Sequence, residues 1–194
     1  IRLGSVLAAL MPNEPEVLGL LALVMLHDSR SEARTTPEGE LVLLGAQDRK
    51  LWKRDQIEEG RSLVRRALEM RRLGPYQLQA AIAAVHTEAE TAEATDWAQI
   101  AGLYAVLAAR DPSPVVTVNR AVAVGFAEGP EAGLALLEGL ELPTYQPLWA
   151  ARAELLRRAG DRAGADEAYA RAVSLSGNAA ERAALERRRL NGAG

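Results

Sequence analysis

The chain holds two histidines, His27 and His86, each beside carboxylates. In "HTEAE", His86 and Glu90 stand four apart and share one helix face, a spacing that two metal ligands use. One imidazole and one carboxylate fall short of a metal site, and neither metal nor cofactor is expected. In "HDSR", His27 and Asp28 precede Arg30 and Arg34, and a second charged group follows at Asp48, Arg49 and Arg54. Partly buried charges need partners. Asp28, Arg30 and Arg34 are therefore expected to pair with Asp48, Arg49 or Arg54 and lock the intervening segment onto the helices. The alternative role for His27, Asp28, Arg30, Asp48 and Arg49 is contact with another protein region. No glycine-rich phosphate loop, serine-histidine-acid set or supported pair of catalytic carboxylates is visible. An enzyme is not expected.

The elements that must position these residues follow from composition and period. Of 194 residues, 48% are hydrophobic and 25% charged, enough for a sizeable core. Alanine, leucine, arginine and glutamate dominate, and β-branched and aromatic residues are scarce, which favours helix. A net charge of −3 gives no basic bias for nucleic acid, and the absence of cysteine excludes disulfides and fits a reducing compartment. The apolar run Val17 to Leu26 is about half of the roughly 20 residues a bilayer span needs. A cytoplasmic protein with no membrane partner is expected. The pattern predicts ten helices, near 1–10, 14–28, 54–72, 75–88, 96–110, 114–127, 130–141, 145–159, 162–176 and 179–190. Asn13 is expected to cap the second, with Glu16 reaching back to it. Trp52, Trp97 and Trp149 are expected as core anchors.

One stripe recurs along the chain. Ile100, Tyr104 and Leu107 are spaced by four and then three; so are Gly133, Leu137 and Leu140, and Ala165, Tyr169 and Ala172, at periods of 33 and 32 residues. The preceding helices carry companion stripes: Tyr76, Ala80 and Ala83; Thr117, Ala121 and Val124; Trp149, Ala153 and Leu156. A period near 34 marks stacked helical hairpins and resembles the tetratricopeptide repeat in degenerate form. The expected fold is all-α, an α-solenoid of tetratricopeptide-like pairs. Residues 1–73 would form an N-terminal helical subdomain with a non-repeat insertion at 29–53. Three pairs would fill 74–177, and a capping helix and tail would fill 178–194. In the charged run before that tail, Arg188→Ala is expected to cost under about 0.5 kcal/mol. Truncating Trp149 or Tyr169 is expected to cost about 3–5 kcal/mol.

Five blocks in order, "LHDSRSEAR", "GELVLLGAQDRKLW", "GPYQLQAAIAAVH", "TDWAQIAGLYAVL" and "SPVVTVNRAVAV", resemble the C-terminal extension of bacterial extracytoplasmic-function sigma factors that carry a tetratricopeptide-like domain. The resemblance runs over nearly the whole chain. It implies a regulatory or scaffolding domain of an RNA polymerase sigma factor, working through contacts with other regions of its own factor. Polymerase core and promoter DNA would be reached only through regions absent from this chain, expected upstream of Ile1. The alternative is a free-standing adaptor that binds a peptide segment of another protein.

Repeat proteins bind along the face formed by the first helix of each pair. Just before each small stripe residue stands a polar one, Gln79, Arg120 and Arg152, with Asn119 alongside. These four are the candidate protein-binding row, suited to an acidic or carboxylate-ended peptide.

Overall fold

The computed structural model describes residues 1–191; the expected tail at 192–194 lies outside them. All ten expected helices form, and no β-strand occurs among the described residues. They are α1 (Arg2–Leu10), α2 (Pro15–Asp28), α3 (Arg54–Glu69), α4 (Pro75–Glu88), α5 (Trp97–Arg110), α6 (Pro114–Ala127), α7 (Pro130–Leu137), α8 (Gln146–Ala159), α9 (Arg162–Leu175) and α10 (Ala179–Asn191). Proline stands in the first turn of α2, α4, α6, α7 and α8, where its missing N–H costs nothing. Asp96 and Asp161 cap α5 and α9 by accepting the N–H of Gln99 and Gly164. None of the described helices is long and apolar enough to cross a membrane.

Two helices stop three or more residues short of their expected ends. α7 closes at Leu137 because Glu138 turns extended and Gly139 takes a left-handed φ of 74°. α3 closes at Glu69, two residues before Arg71, whose φ of 53° cannot continue a right-handed helix.

The chain divides into two compact units, residues 1–35 with 42–111, and 36–41 with 112–194. Boundaries had been expected after residues 73 and 177; here α4 and α5 group with α1, α2 and α3.

In the first unit α2 packs against α1, α3 and α4. Leu26, Trp52, Ile57 and Val64 meet the alanine face of α4 in one core. α2 and α4 approach so closely that a Cβ on Gly19 would sit 2.7 Å from the backbone nitrogen of Gln77. The expected Asn13 cap does not form: Glu14 holds the cap position without a side-chain bond. Glu16 instead turns away from its own helix. Its carboxylate accepts the backbone N–H of Tyr76 and of Gln77, each at 3.1 Å, at the start of α4.

In the second unit α6 packs on α7 and α8, α8 on α9, and α9 on α10. One core gathers Val118, Leu137, Leu148 and Leu155; the next gathers Ala153, Tyr169, Ala172 and Leu185. α6 and α7 touch through glycine, since a Cβ on Gly133 would fall 2.5 Å from the Ala121 carbonyl oxygen. The segment 36–41 belongs to this unit: Arg187 of α10 donates to the Leu41 carbonyl and pairs with Glu40.

Candidate functional site

The "HDSR" group and the second charged cluster do meet, but not through the expected ion pairs. Asp28 accepts from Gln56 at 3.0 Å and lies 3.7 Å from Lys53. Asp48 accepts the backbone N–H of Lys50 at 2.9 Å and caps a 3-10 turn. Arg30 is 7% exposed and its guanidinium lies 5.9 Å from the centre of the Trp52 ring. Arg49 stacks on the same ring at 4.3 Å and donates to the carbonyls of His86, at 3.0 Å, and Ala89, at 2.7 Å. Arg34 donates to the His27 carbonyl at 2.8 Å. The partners of these guanidiniums are therefore one indole face, the His27 ring nitrogen and carbonyls at the ends of α2 and α4, where the helix dipole favours cations. Among the described residues none of the three has a carboxylate within ion-pair distance.

Burial first, and this crowding of positive charge second, sets the state of the imidazoles. Burial, followed by the charges of Arg30, Arg49 and His27, lowers the His86 pKa to about 4. Its ring stands edge-on to Trp97 at 5.3 Å. Partial desolvation and then Arg30 and Arg34 also lower the pKa of His27, whose Nδ1 lies 3.3 Å from the Arg34 guanidinium. Burial above all, with Arg34 and Arg49 adding to it, brings Arg30 down to about 10, still charged at neutral pH. The assembly fastens the 29–53 segment to α2 and α4. Among the described residues no group of three or more histidines and carboxylates could hold a metal.

The polar row is divided between the units. Gln79 belongs to the first, where it is half-buried on α4; Asn119, Arg120 and Arg152 belong to the second. Asn119 is exposed. The Arg120 Nε is buried with no hydrogen-bond partner. Arg152 lines a cleft of about 560 Å³ together with Leu134, Trp149, Leu156, Ala168 and Arg171.

In that cleft Trp149 is half-buried rather than a core anchor, its indole N–H donating to the Pro143 carbonyl at 3.2 Å. Arg152 and Arg171 flank its ring at 5.8 and 6.0 Å. Neither pairs with a carboxylate within ion-pair distance among the described residues, although Glu138 and Glu167 also line the cleft. An apolar floor, a ring and two guanidiniums with donors to spare can hold a carboxylate beside an apolar side chain. The sequence pointed to Arg152 alone; the three-residue step from Trp149 to Arg152 on one helix face was the available sign of the rest.

Behind the cleft lies a polar node that the sequence did not reveal. Glu154, 7% exposed, accepts from Arg157 at 2.8 Å, from Arg188 at 3.0 Å and from the Tyr169 hydroxyl at 3.1 Å. Burial alone would raise its pKa, but the Arg157 hydrogen bond, the charges of Arg188 and Arg157 and the tyrosine outweigh it and lower the value. Arg188 therefore holds a buried carboxylate, a role that the expected loss of under about 0.5 kcal/mol left out.

Residues 1–68 match a family described as "Family of unknown function (DUF6596)". An uncharacterized protein of Rhizobium meliloti (strain 1021) is 49% identical over 185 residues, 94% of this chain. The chain spans 44% of the length of that relative. No solved structure matches.

Proposed function

We propose that this chain is a regulatory and scaffolding part of an RNA polymerase sigma factor of the extracytoplasmic-function type. It works by binding, without catalysis, in the cytoplasm, on degenerate tetratricopeptide-like helix pairs. The cleft beside Trp149 is the observation that carries this reading: Arg152 was singled out by its repeat position, and among the described residues its guanidinium has no carboxylate within ion-pair distance. The occupant is an acidic, apolar segment of the factor's own other regions, with its carboxylate between Arg152 and Arg171. The five sequence blocks support the assignment to sigma factors. A relative more than twice the length of this chain agrees with a module inside a longer polypeptide.

The test is made in the full-length protein. Arg152→Glu and Arg171→Glu are expected to leave helicity and melting nearly unchanged, because both side chains meet solvent. Transcription from the factor's own promoter is expected to shift at least about tenfold, the scale of losing one charge-assisted contact. Unchanged transcription in both variants refutes the proposal. A purified partner protein that binds the wild-type cleft, with no effect on transcription, would establish the adaptor instead.

A further inference from the structure

α10 is fastened by three consecutive arginines, each to a different element of its unit. Arg187 pairs with Glu40 at 3.4 Å and donates to the Leu41 carbonyl, gripping the 36–41 segment. Arg188 reaches Glu154 on α8 at 3.0 Å. Arg189 makes a two-pronged contact with Asp166 on α9, one arm at 2.8 Å. Three successive helix residues span about 200° of the helix surface, so one rigid docking satisfies all three only at the meeting point of three elements. Apolar contact is slight by comparison: Leu185 is buried with Ala184, while Leu190 is 72% exposed. α10 adds Leu185 to the core that Tyr169, Ala153 and Ala172 form between α8 and α9, and its other ties to the unit are charged.

We propose that α10 is a detachable strap, clasped by Arg187, Arg188 and Arg189, that undocks as one piece from an otherwise folded unit and uncovers the Ala153–Tyr169–Ala172 face. The linker at 176–178 joins the strap to α9: Gly177 meets no atom within contact distance of an added Cβ, and the buried Ser176 bonds forward to Asn178, Glu181 and Arg182 at the start of the strap. Undocking also frees the 36–41 segment from Arg187. Screening acts on exposed pairs far more than on packed apolar side chains, which gives the strap its signature.

Hydrogen exchange on the intact chain, followed by mass spectrometry, tests this. Raising salt from about 0.1 M to about 1 M shrinks the screening length to about 3 Å. Amides of 180–190 are then expected to exchange about tenfold faster or more, while those of α8 keep their protection. Asp166→Arg alone is expected to speed exchange in α10 about threefold at low salt. The swap Asp166→Arg with Arg189→Asp restores protection, which a merely structural defect at 166 would not allow. Exchange of α10 that never separates from that of α8 and α9 overturns the strap. So does a swap that fails to rescue.

Discussion

Glu16 and Gln77 stand 61 residues apart in the chain, yet the Glu16 carboxylate accepts both the backbone N–H and the side-chain amide of Gln77, at 3.1 and 3.2 Å. The amide also donates to the Arg72 carbonyl, so it ties the turn before α4 to the carboxylate that caps it. A residue of α2 thereby does for α4 what an N-cap usually does for its own helix, and adds a negative charge at the positive end of the helix dipole. Two glycines make room for this. A Cβ on Gly74 would come within contact of the Glu16 carboxyl, and one on Gly19 would strike the Gln77 backbone.

Glycine substitutions in the first unit are therefore expected to divide by sign. Gly19→Ala should destabilise by about 2 kcal/mol or more, because the backbone it meets cannot step aside. Gly102→Ala, on α5 where a Cβ meets nothing within 4 Å, should stabilise by about 0.5–1 kcal/mol. Glu16→Gln should cost about 1 kcal/mol through weaker capping. Urea titrations give all three, and equal values for the two alanine variants would contradict the close crossing.

Around Glu154 the expected stability loss is largest for Tyr169→Ala, with Arg188→Ala and Trp149→Ala both well below it. Tyr169 is 1% exposed, and its loss should cost about 3–5 kcal/mol. Arg188→Ala should cost about 1–2 kcal/mol, because the buried carboxylate loses one charged partner but keeps Arg157. Trp149 lies half-buried at the cleft, so its truncation should cost under about 2 kcal/mol. Thermal denaturation ranks them; an Arg188 value below that of a surface arginine would dissolve the node.

His86 predicts a pH response of definite sign. Unfolded, its imidazole takes a proton below its ordinary value of 6.5; folded, it does so only at about 4. Stability is then complete above that ordinary value and is lost as pH falls through the window, by up to about 1.4 kcal/mol per pH unit and at most about 3.4 kcal/mol in all. His86→Phe keeps a ring against Trp97 and removes the titration. Denaturation midpoints measured across this window should slope less steeply in the variant; parallel slopes would show that other groups carry the response.

Helix positions were legible because their signals are local. Pro75, Pro114 and Pro130 announce starts, Asp96 and Asp161 cap within three residues, and Gly129 and Gly160 end helices with left-handed φ. Glu16 was misread because a carboxylate near a helix start looks like a local cap, and nothing in the sequence marks a turn 60 residues away. The basic lock was misread for a related reason: charge opposite charge suggests ion pairs, whereas an indole face and carbonyls at helix ends also draw guanidiniums. The repeat register singled out Arg152, which the structure leaves half-buried with no ion pair among the described residues, but it also aligned Gln79 with residues of another unit. A stripe records position within a hairpin and carries no information on which hairpins share a core.

The six residues of 36–41 carry a consequence for anyone who would take the protein apart. Arg187 and Leu41 are 146 positions apart, so the second unit is discontinuous in sequence. A gene cut after residue 111 would yield a fragment without Glu40 and Leu41, whose guanidinium at 187 would have lost its seat. On the ribosome the early piece must wait for nearly the whole chain to be made, so this closure comes after the local helix hairpins have already formed.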